Sequence, residues 1–241
     1  MARKANSPKQ RVRPLVRIWI WCIRWLWRGV VALAFVLLLA VGLYGMINPP
    51  TTPYILTEGR RLDGVAREWM PMDKIAPVMA RSAVAAEDAN FCLHWGFDLD
   101  AIRAAIDAGS ARGASTISQQ VVKNAYLWQG RSWIRKGLEA LMTPLVEAMW
   151  SKRRILEVYL NIAEFDEGIF GVEAAAQKYF GVSAADLTDV QAARLAAVLP
   201  NPKQRSAAQP SDALRRRAGN IRDGAATILA DGRADCFELL N

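Results

Sequence analysis

The sequence predicts a mainly α-helical fold carried behind a single N-terminal membrane-spanning helix. Three observations predict it. Residues 29–47, GVVALAFVLLLAVGLYGMI, contain no charge; the apolar residues that follow recur at helical spacing; and no alternating β pattern of convincing length appears anywhere. At 241 residues the chain is long enough for one sizeable domain plus an appendage.

The elements follow in order. Residues 1–28 hold Arg3, Lys4, Lys9, Arg11, Arg13, Arg17, Arg24 and Arg28 and no acid, so the whole net charge of +8 belongs to this tail. The remaining 213 residues balance, with 23 basic against 23 acidic side chains. A basic face for nucleic acid is therefore not expected. The uncharged stretch 29–47 matches the roughly 20 residues that a helix needs to cross about 30 Å of hydrocarbon. Trp19, Trp21, Trp25 and Trp27 before it and Tyr44 near its far end suit the two interfaces. No small-x-small cleavage site follows Ile47, which argues against a removed signal peptide. The cations precede the span, so residues 1–28 are expected in the cytoplasm and everything after Asn48 outside. Segment 48–60 opens with three prolines in NPPTTPY and reads as a stiff, extended linker. The exported domain then covers 61–241.

Within it, 74–91 has alanine-rich helical spacing interrupted by Pro77. Residues 100–108 give a short amphipathic helix ended by Gly109. Thr116 and Gln119 form a capping-box signature that starts another helix. A long helical pattern runs from Ser132 to Leu160, with a kink or a split expected at Pro144. Residues 172–180 and 189–199 complete the set. Cys22, Cys92 and Cys236 read as free thiols, Cys92 as a small core residue.

Four clusters carry the chemistry. The first, 87-EDANFCLHWGFD-98, holds Glu87, Asp88 and the only histidine, His94. The second, 113-GASTISQQVVKN-124, is a turn feeding a helix N-terminus. Its backbone N–H groups and the Ser115 and Thr116 hydroxyls suit an anion, while Gln119 with Lys123, and Gln120 with Asn124, line neighbouring stripes. In the third, 131-RSWIRKGLE-139, Arg131, Arg135 and Glu139 share one helix face. In the fourth, 151–181, Glu157 and Glu164 read as structural acids. Two separated glutamates suit chemistry at an anomeric carbon, arginine and lysine suit a diphosphate, and the neutral donors suit sugar hydroxyls. A membrane-borne sugar diphosphate would explain both the site and the anchor. No P-loop, GxSxG, HExxH or paired CxxC pattern points elsewhere.

In order and spacing, these clusters resemble the signature motifs of the peptidoglycan glycosyltransferases of family 51. EDxxFxxHxGxD appears at 87–98, GxSTIxQQxxKN at 113–124, RKxxE at 135–139 and KxxILExYLN at 152–161. The resemblance covers about 75–205, and it is nearest to the monofunctional members with a short basic tail and one span. With no SxxK, SDN or KTG set, a transpeptidase domain is not expected. The resemblance implies a lysozyme-like, two-lobed domain in the bacterial plasma (inner) membrane, with its catalytic part periplasmic. It implies polymerisation of lipid II, with a lipid-linked growing glycan as donor, into β-1,4-linked strands with release of undecaprenyl diphosphate. It casts Glu87 as the general base of an inverting transfer and Glu139 as a second essential carboxylate in the donor site. Lys123, Arg131 and Arg135 would hold the diphosphate. Ser115, Thr116, Gln119, Gln120 and Asn124 would order the site, and Asp88, Phe91 and His94 would support Glu87. No obligatory cofactor is expected, although a divalent cation (Mg or Mn) could accompany the diphosphate. Partners would be the lipid-linked substrates, the membrane and other cell-wall synthesis proteins. Two alternatives stand beside this reading: a lysozyme-like enzyme that cleaves glycan, which would have no use for three diphosphate-binding cations, and a catalytically silent membrane scaffold, which would have lost a glutamate or Lys123.

Overall fold

The computed structural model describes residues 14–107, 109, 115–130 and 132–238. The chain divides into two compact units, Met1–Leu43 and Tyr44–Asn241. In the first, helix α1 begins at Pro14, so the second half of the basic tail is helical rather than separate from the span. Helix α1 (Pro14–Met46) contains the 31-residue stretch Val16–Met46, within which an 18-residue window has mean hydropathy 2.4. At about 1.5 Å per residue the whole stretch exceeds the roughly 30 Å of a hydrocarbon core. A single apolar helix of this kind fits a membrane anchor.

The second unit opens with a difference from expectation. The chain is irregular only to Thr52, whose hydroxyl accepts from the Ile55 N–H, and helix α2 (Pro53–Arg61) starts there. Pro53 sits at the first helical position, where its missing N–H has no cost. The prolines that suggested a linker thus end in a helix start.

Helix α3 (Pro77–Glu87) follows the same rule: Pro77 opens the helix instead of breaking it. Helices α4 (Leu99–Asp107) and α5 (Ile117–Tyr126) lie where their patterns place them, and Thr116 and Gln119 form the expected capping box. The long pattern from Ser132 divides into α6 (Trp133–Met149) and α7 (Lys152–Ile162). The division falls at Trp150–Ser151, not at Pro144, which stays inside α6. Ser151 caps α7 through the Arg154 N–H, so a side-chain cap outweighs the proline as a boundary. Three short strands not foreseen from the sequence, β1 (Ala66–Arg67), β2 (Glu164–Asp166) and β3 (Ile169–Phe170), form a small sheet in the order β1-β3-β2. Strands of two or three residues are too short to show alternation. Helices α8 (Val172–Phe180) and α9 (Asp189–Val198) agree with the pattern.

Helix α10 (Asp212–Ala230) completes the domain. It buries Leu214, Ala218, Ile221, Ala225 and Ile228 along one stripe and packs on α9 and α3. Its Gly224 lies so close to α3 that a Cβ there would stand 3.2 Å from that of Ala85. A second packing group joins α5 to α6 and α7. The two groups meet where α3 ends and α5 begins.

The cysteine reading needs correction. Cys92 and Cys236 form a disulfide, with Cα atoms 5.7 Å apart across a sequence separation of 144; Cys22 alone is free. Separation along the chain hid the pairing, because α10 returns along α3 and delivers its following turn to the 88–98 loop. Phe237 then packs against Phe91, both fully buried.

Candidate active site

Glu87 is the last residue of α3 and Asp88 its C-cap, so the helix end presents two successive carboxylates in different directions. Asp88 is buried and turned inward. One oxygen accepts from His94 Nε2 at 2.8 Å and the other from the Ile117 N–H at 2.9 Å, at the first turn of α5. A carboxylate at a helix N-terminus satisfies an otherwise orphaned N–H and meets the positive end of the dipole. Asp88 therefore ties His94 and the 88–98 loop to α5. Phe91 is fully buried and carries the Lys152 ammonium over its ring at 4.5 Å.

Glu87 faces the opposite way. Its Oε2 accepts from Gln120 Nε2 at 2.9 Å and its Oε1 lies 3.9 Å from Arg217. Burial pushes its carboxyl above the ordinary glutamate range, opposed by Gln120, Arg217 and Lys123, with Asp88 adding to the rise. Lys123, one turn beyond Gln120, has no carboxylate at ion-pair distance among the described residues. Its ammonium is held below the usual lysine range by burial, an effect that Glu139 and Glu87 oppose and that Arg135 and Lys136 reinforce. A largely enclosed cation without a direct acidic partner is a ready anion site.

Glu139 differs from Glu87. One oxygen accepts from Arg135 at 2.9 Å and the other from Lys136, with the side chain 3% exposed. Both cations are thus fixed on the first turns of α6, and Lys136 also reaches the Ser115 hydroxyl at 3.3 Å. Lys136 was not singled out by the sequence reading, although it stands inside the third cluster.

The polar residues of the second cluster separate by burial. Thr116 and Gln119 are buried and bond each other's backbone N–H groups, and Thr116 also donates to the Gly96 carbonyl at 2.7 Å. They hold the site from beneath. Ser115 is exposed and Gln120 half-buried, while Asn124 accepts from Gln129 at 3.2 Å. Arg131 lies outside the described residues. Gly96 (φ +84°) explains the glycine in the first cluster, since a Cβ would stand 2.6 Å from Thr143 Cγ2.

Below this layer lies a network that the sequence reading missed. Buried Glu147 accepts from Ser118 and from Lys152 at 2.8 Å, and Lys152 donates to the His94 carbonyl at 2.8 Å. Glu164, read as structural, is buried with Tyr54 donating to it and the Gly168 N–H at 3.1 Å. Asp88, His94 and Asp98 come close enough to suggest a metal trio. Asp88, however, already accepts from His94 and Ile117, and Asp98 accepts from Asn90 and Ala101. The trio serves as loop scaffolding.

Two cavities lie at these residues, and Glu87 lines one of them. One of about 260 Å³ is lined by Glu87, Asp88, Asn90, Asp98, Ser115 and Thr116. The other, about 110 Å³, is lined by Gln120, Lys123, Asn124, Gln129, Tyr54 and Glu164. Gln120, which lines the second cavity, is bonded to Glu87, which lines the first. The arrangement offers a desolvated base with an open approach, next to several fixed cations. A buried carboxylate of this kind can accept a proton, and cations of this kind can hold an anion.

The family model described as transglycosylase matches residues 56–225. The chain is 60% identical over 236 residues, 98% of both chains, to the biosynthetic peptidoglycan transglycosylase of Jannaschia sp. (strain CCS1). It is 50% identical over 204 residues to a protein of the same description from Caulobacter vibrioides, covering 82% of this chain and 88% of that one. A third such relative, from Pseudomonas syringae pv. tomato, is 57% identical over 169 residues, 68% of this chain and 71% of the relative.

Proposed function

Because this chain belongs to the transglycosylase family and is a peptidoglycan glycosyltransferase of lysozyme-like fold, we propose that it polymerises lipid II by an inverting transfer with Glu87 as general base. The observation that carries this reading is the placement of Glu87. Its carboxylate is buried and raised in proton affinity, held by a neutral amide rather than a full ion pair, and opens on a cavity. A base of that kind is matched to deprotonating a sugar hydroxyl near neutral pH. The acceptor 4-hydroxyl gives its proton to Glu87 as its oxygen bonds to the donor anomeric carbon. The bond from that carbon to the diphosphate breaks, and its electron pair leaves with the lipid diphosphate. Lys123 and Arg135 meet the charge that develops there, with Arg131 as a further contact and Glu139 keeping Arg135 and Lys136 in place. A divalent cation at the diphosphate would add to this charge, and EDTA treatment tests it.

The N-terminal helix anchors the domain with its tail in the cytoplasm and the catalytic unit periplasmic. The site then sits at headgroup depth. Side chains that water alone would not favour flank it: Trp95 is 58% exposed, Ile106 70%, Trp133 92% and Ile134 74%. We read these as membrane contacts.

The test is polymer yield from labelled lipid II. Glu87→Gln preserves shape but cannot take the proton, so yield should fall about 10²–10⁴-fold, while binding of a non-reactive lipid-diphosphate sugar survives. If Glu87→Gln keeps more than about a tenth of wild-type turnover, another residue is the base. Glycan cleavage in place of polymer would favour the hydrolytic alternative.

A further inference from the structure

We propose that Arg217, on the C-terminal helix α10, is a positioning residue for Glu87: it closes the end of the helix that presents Glu87 and keeps positive charge beside one of its carboxylate oxygens. This rests on the reading of Glu87 as the base.

The geometry begins at the end of α3, where the last carbonyls have no intrahelical partner. Arg217 Nη2 donates to the Ala86 carbonyl at 3.3 Å, and Arg233 Nη1 donates to the Ala89 carbonyl at 3.0 Å. Two guanidinium groups from one segment thus close the helix terminus on either side of Glu87 and Asp88, where the dipole favours cations. The same Nη2 of Arg217 stands 3.9 Å from Glu87 Oε1. That distance is too long for a charge-assisted hydrogen bond and short enough for electrostatic support. An ion pair at full contact would occupy the lone pair that the reaction needs. Arg217 is also no ordinary surface arginine, since its Nε is buried without a hydrogen-bond partner among the described residues.

The rest of α10 fixes where Arg217 stands. Gly224 lets the helix approach Ala85 on α3, and the Cys92–Cys236 bond fastens the turn after α10 to the loop carrying Asp88 and His94. Arg81 pairs with Glu238 at 2.7 Å to close the far end. Slack is therefore removed on both sides of the base.

Among the described residues, these groups act most strongly on Glu87. They are Asp88 beside it, Gln120 and Lys123 from α5, Tyr159 from α7 and Arg217 from α10. Burial raises the Glu87 carboxyl, and Lys123 and Arg217 are the two cations that oppose it. Lys123 also faces the leaving group, so Arg217 is the cation whose task is the base alone. Without it, Glu87 binds its proton more tightly and wanders more.

The test compares Arg217→Met, Arg217→Lys and, as a charge control, the exposed neighbour Arg216→Met, in the full chain in detergent with lipid II. Arg217→Met should lower kcat about tenfold or more with KM within about twofold, as expected when a base is misplaced and substrate contacts are not. Its acid limb in the rate–pH profile should move to higher pH. Arg217→Lys should return that limb close to wild type, and Arg216→Met should behave as wild type. A wild-type kcat and acid limb in Arg217→Met overturns the proposal. So does a loss of rate at every pH that merely tracks a fall in melting temperature, with no movement of the limb, because that is a strut. Glu87→Gln is run alongside: if it stays active the base assignment itself fails, whereas an inactive Glu87→Gln beside a normal Arg217→Met condemns only the role of Arg217.

Discussion

Reduction of the Cys92–Cys236 disulfide should destabilise the domain by an amount that the chain topology sets. The bond joins residues 144 apart and so closes most of the second unit, Tyr44–Asn241, into one loop. In the chain-entropy treatment a loop of this length restricts the unfolded state by about 5 kcal/mol at 25 °C. Native disulfides deliver somewhat less, so about 2–5 kcal/mol is the expected range. For a domain of roughly 150–250 residues, each kcal/mol moves Tm by about 2–4 °C, which gives a fall of about 4–20 °C. The tail offers other attachments that blunt the loss. Phe237 stays in the core against Phe91, and Arg81 and Arg153 hold Glu238 and the Phe237 carbonyl. The assay is a melting curve of the detergent-solubilised chain, oxidised and after thiol reduction, with Cys92→Ser/Cys236→Ser as a redox-independent check. A shift under about 2 °C in both would refute the argument, since loop closure at this separation leaves no room for so small an effect.

Four further outcomes follow from the same geometry. Lys123→Ala and Arg135→Ala should each cost about 2–4 kcal/mol of transition-state stabilisation in lipid II polymerisation, with folding retained by circular dichroism; near-normal turnover in both would reduce them to surface charges. Glu87→Gln should melt at or above the wild-type temperature at neutral pH, because burial disfavours the ionised carboxylate there. The sign is that of a raised carboxyl: wild type regains stability as pH falls through its folded pKa, so the two curves should converge in acid, and a Glu87→Gln protein less stable at neutral pH contradicts this. Replacing Trp95 and Trp133 by serine should weaken binding of the domain from residue 50 onward to liposomes, and no liposome affinity in the parent domain would refute the membrane contact. A reporter fused after Asn241 should be active only outside the cytoplasm; activity confined to the cytoplasm would reverse the topology.

Much of the site was legible because its parts are local. The capping box at Thr116 and Gln119 is a four-residue pattern, and the structure forms it as written. Glu87, Gln120 and Lys123 sit on helix positions whose spacing already put the two α5 residues near one face. What escaped depends on contacts far apart in sequence. Cys92 and Cys236 meet only because α10 runs back along α3. Helix α10 itself carries two glycines and three consecutive arginines, which dilute its apolar stripe, although Leu214, Ala218, Ile221, Ala225 and Ile228 trace it once seen. Glu147 and Lys152 carry no local signature of their own, and only the folded contacts show that they support the His94 loop. The prolines misled in one consistent way. Pro53 and Pro77 open helices and Pro144 is carried inside one, so a break inferred from proline alone failed at each.

The two glutamates that the sequence presents as equals have divided labour, and the division follows from their neighbours. Glu139 has both oxygens engaged by Arg135 and Lys136. On the proposed reading it offers placement: two cations on flexible stems are held at one spot on α6, which would lessen the entropy lost when an anionic diphosphate arrives. Glu87 has the reverse environment, with one neutral donor, a distant guanidinium and a cavity beside it. Exchanging the environments would disable both, since a base in full ion pairs is too weak and a tether without partners leaves its cations loose. The same contrast separates this site from a hydrolytic one. A glycan-cleaving cleft needs a raised acid and a second carboxylate, but it gains nothing from Lys123, Arg135 and Lys136 gathered around a leaving group that would be a neutral sugar. On the proposed reading, a charged leaving group gives these cations a use that a neutral one would not.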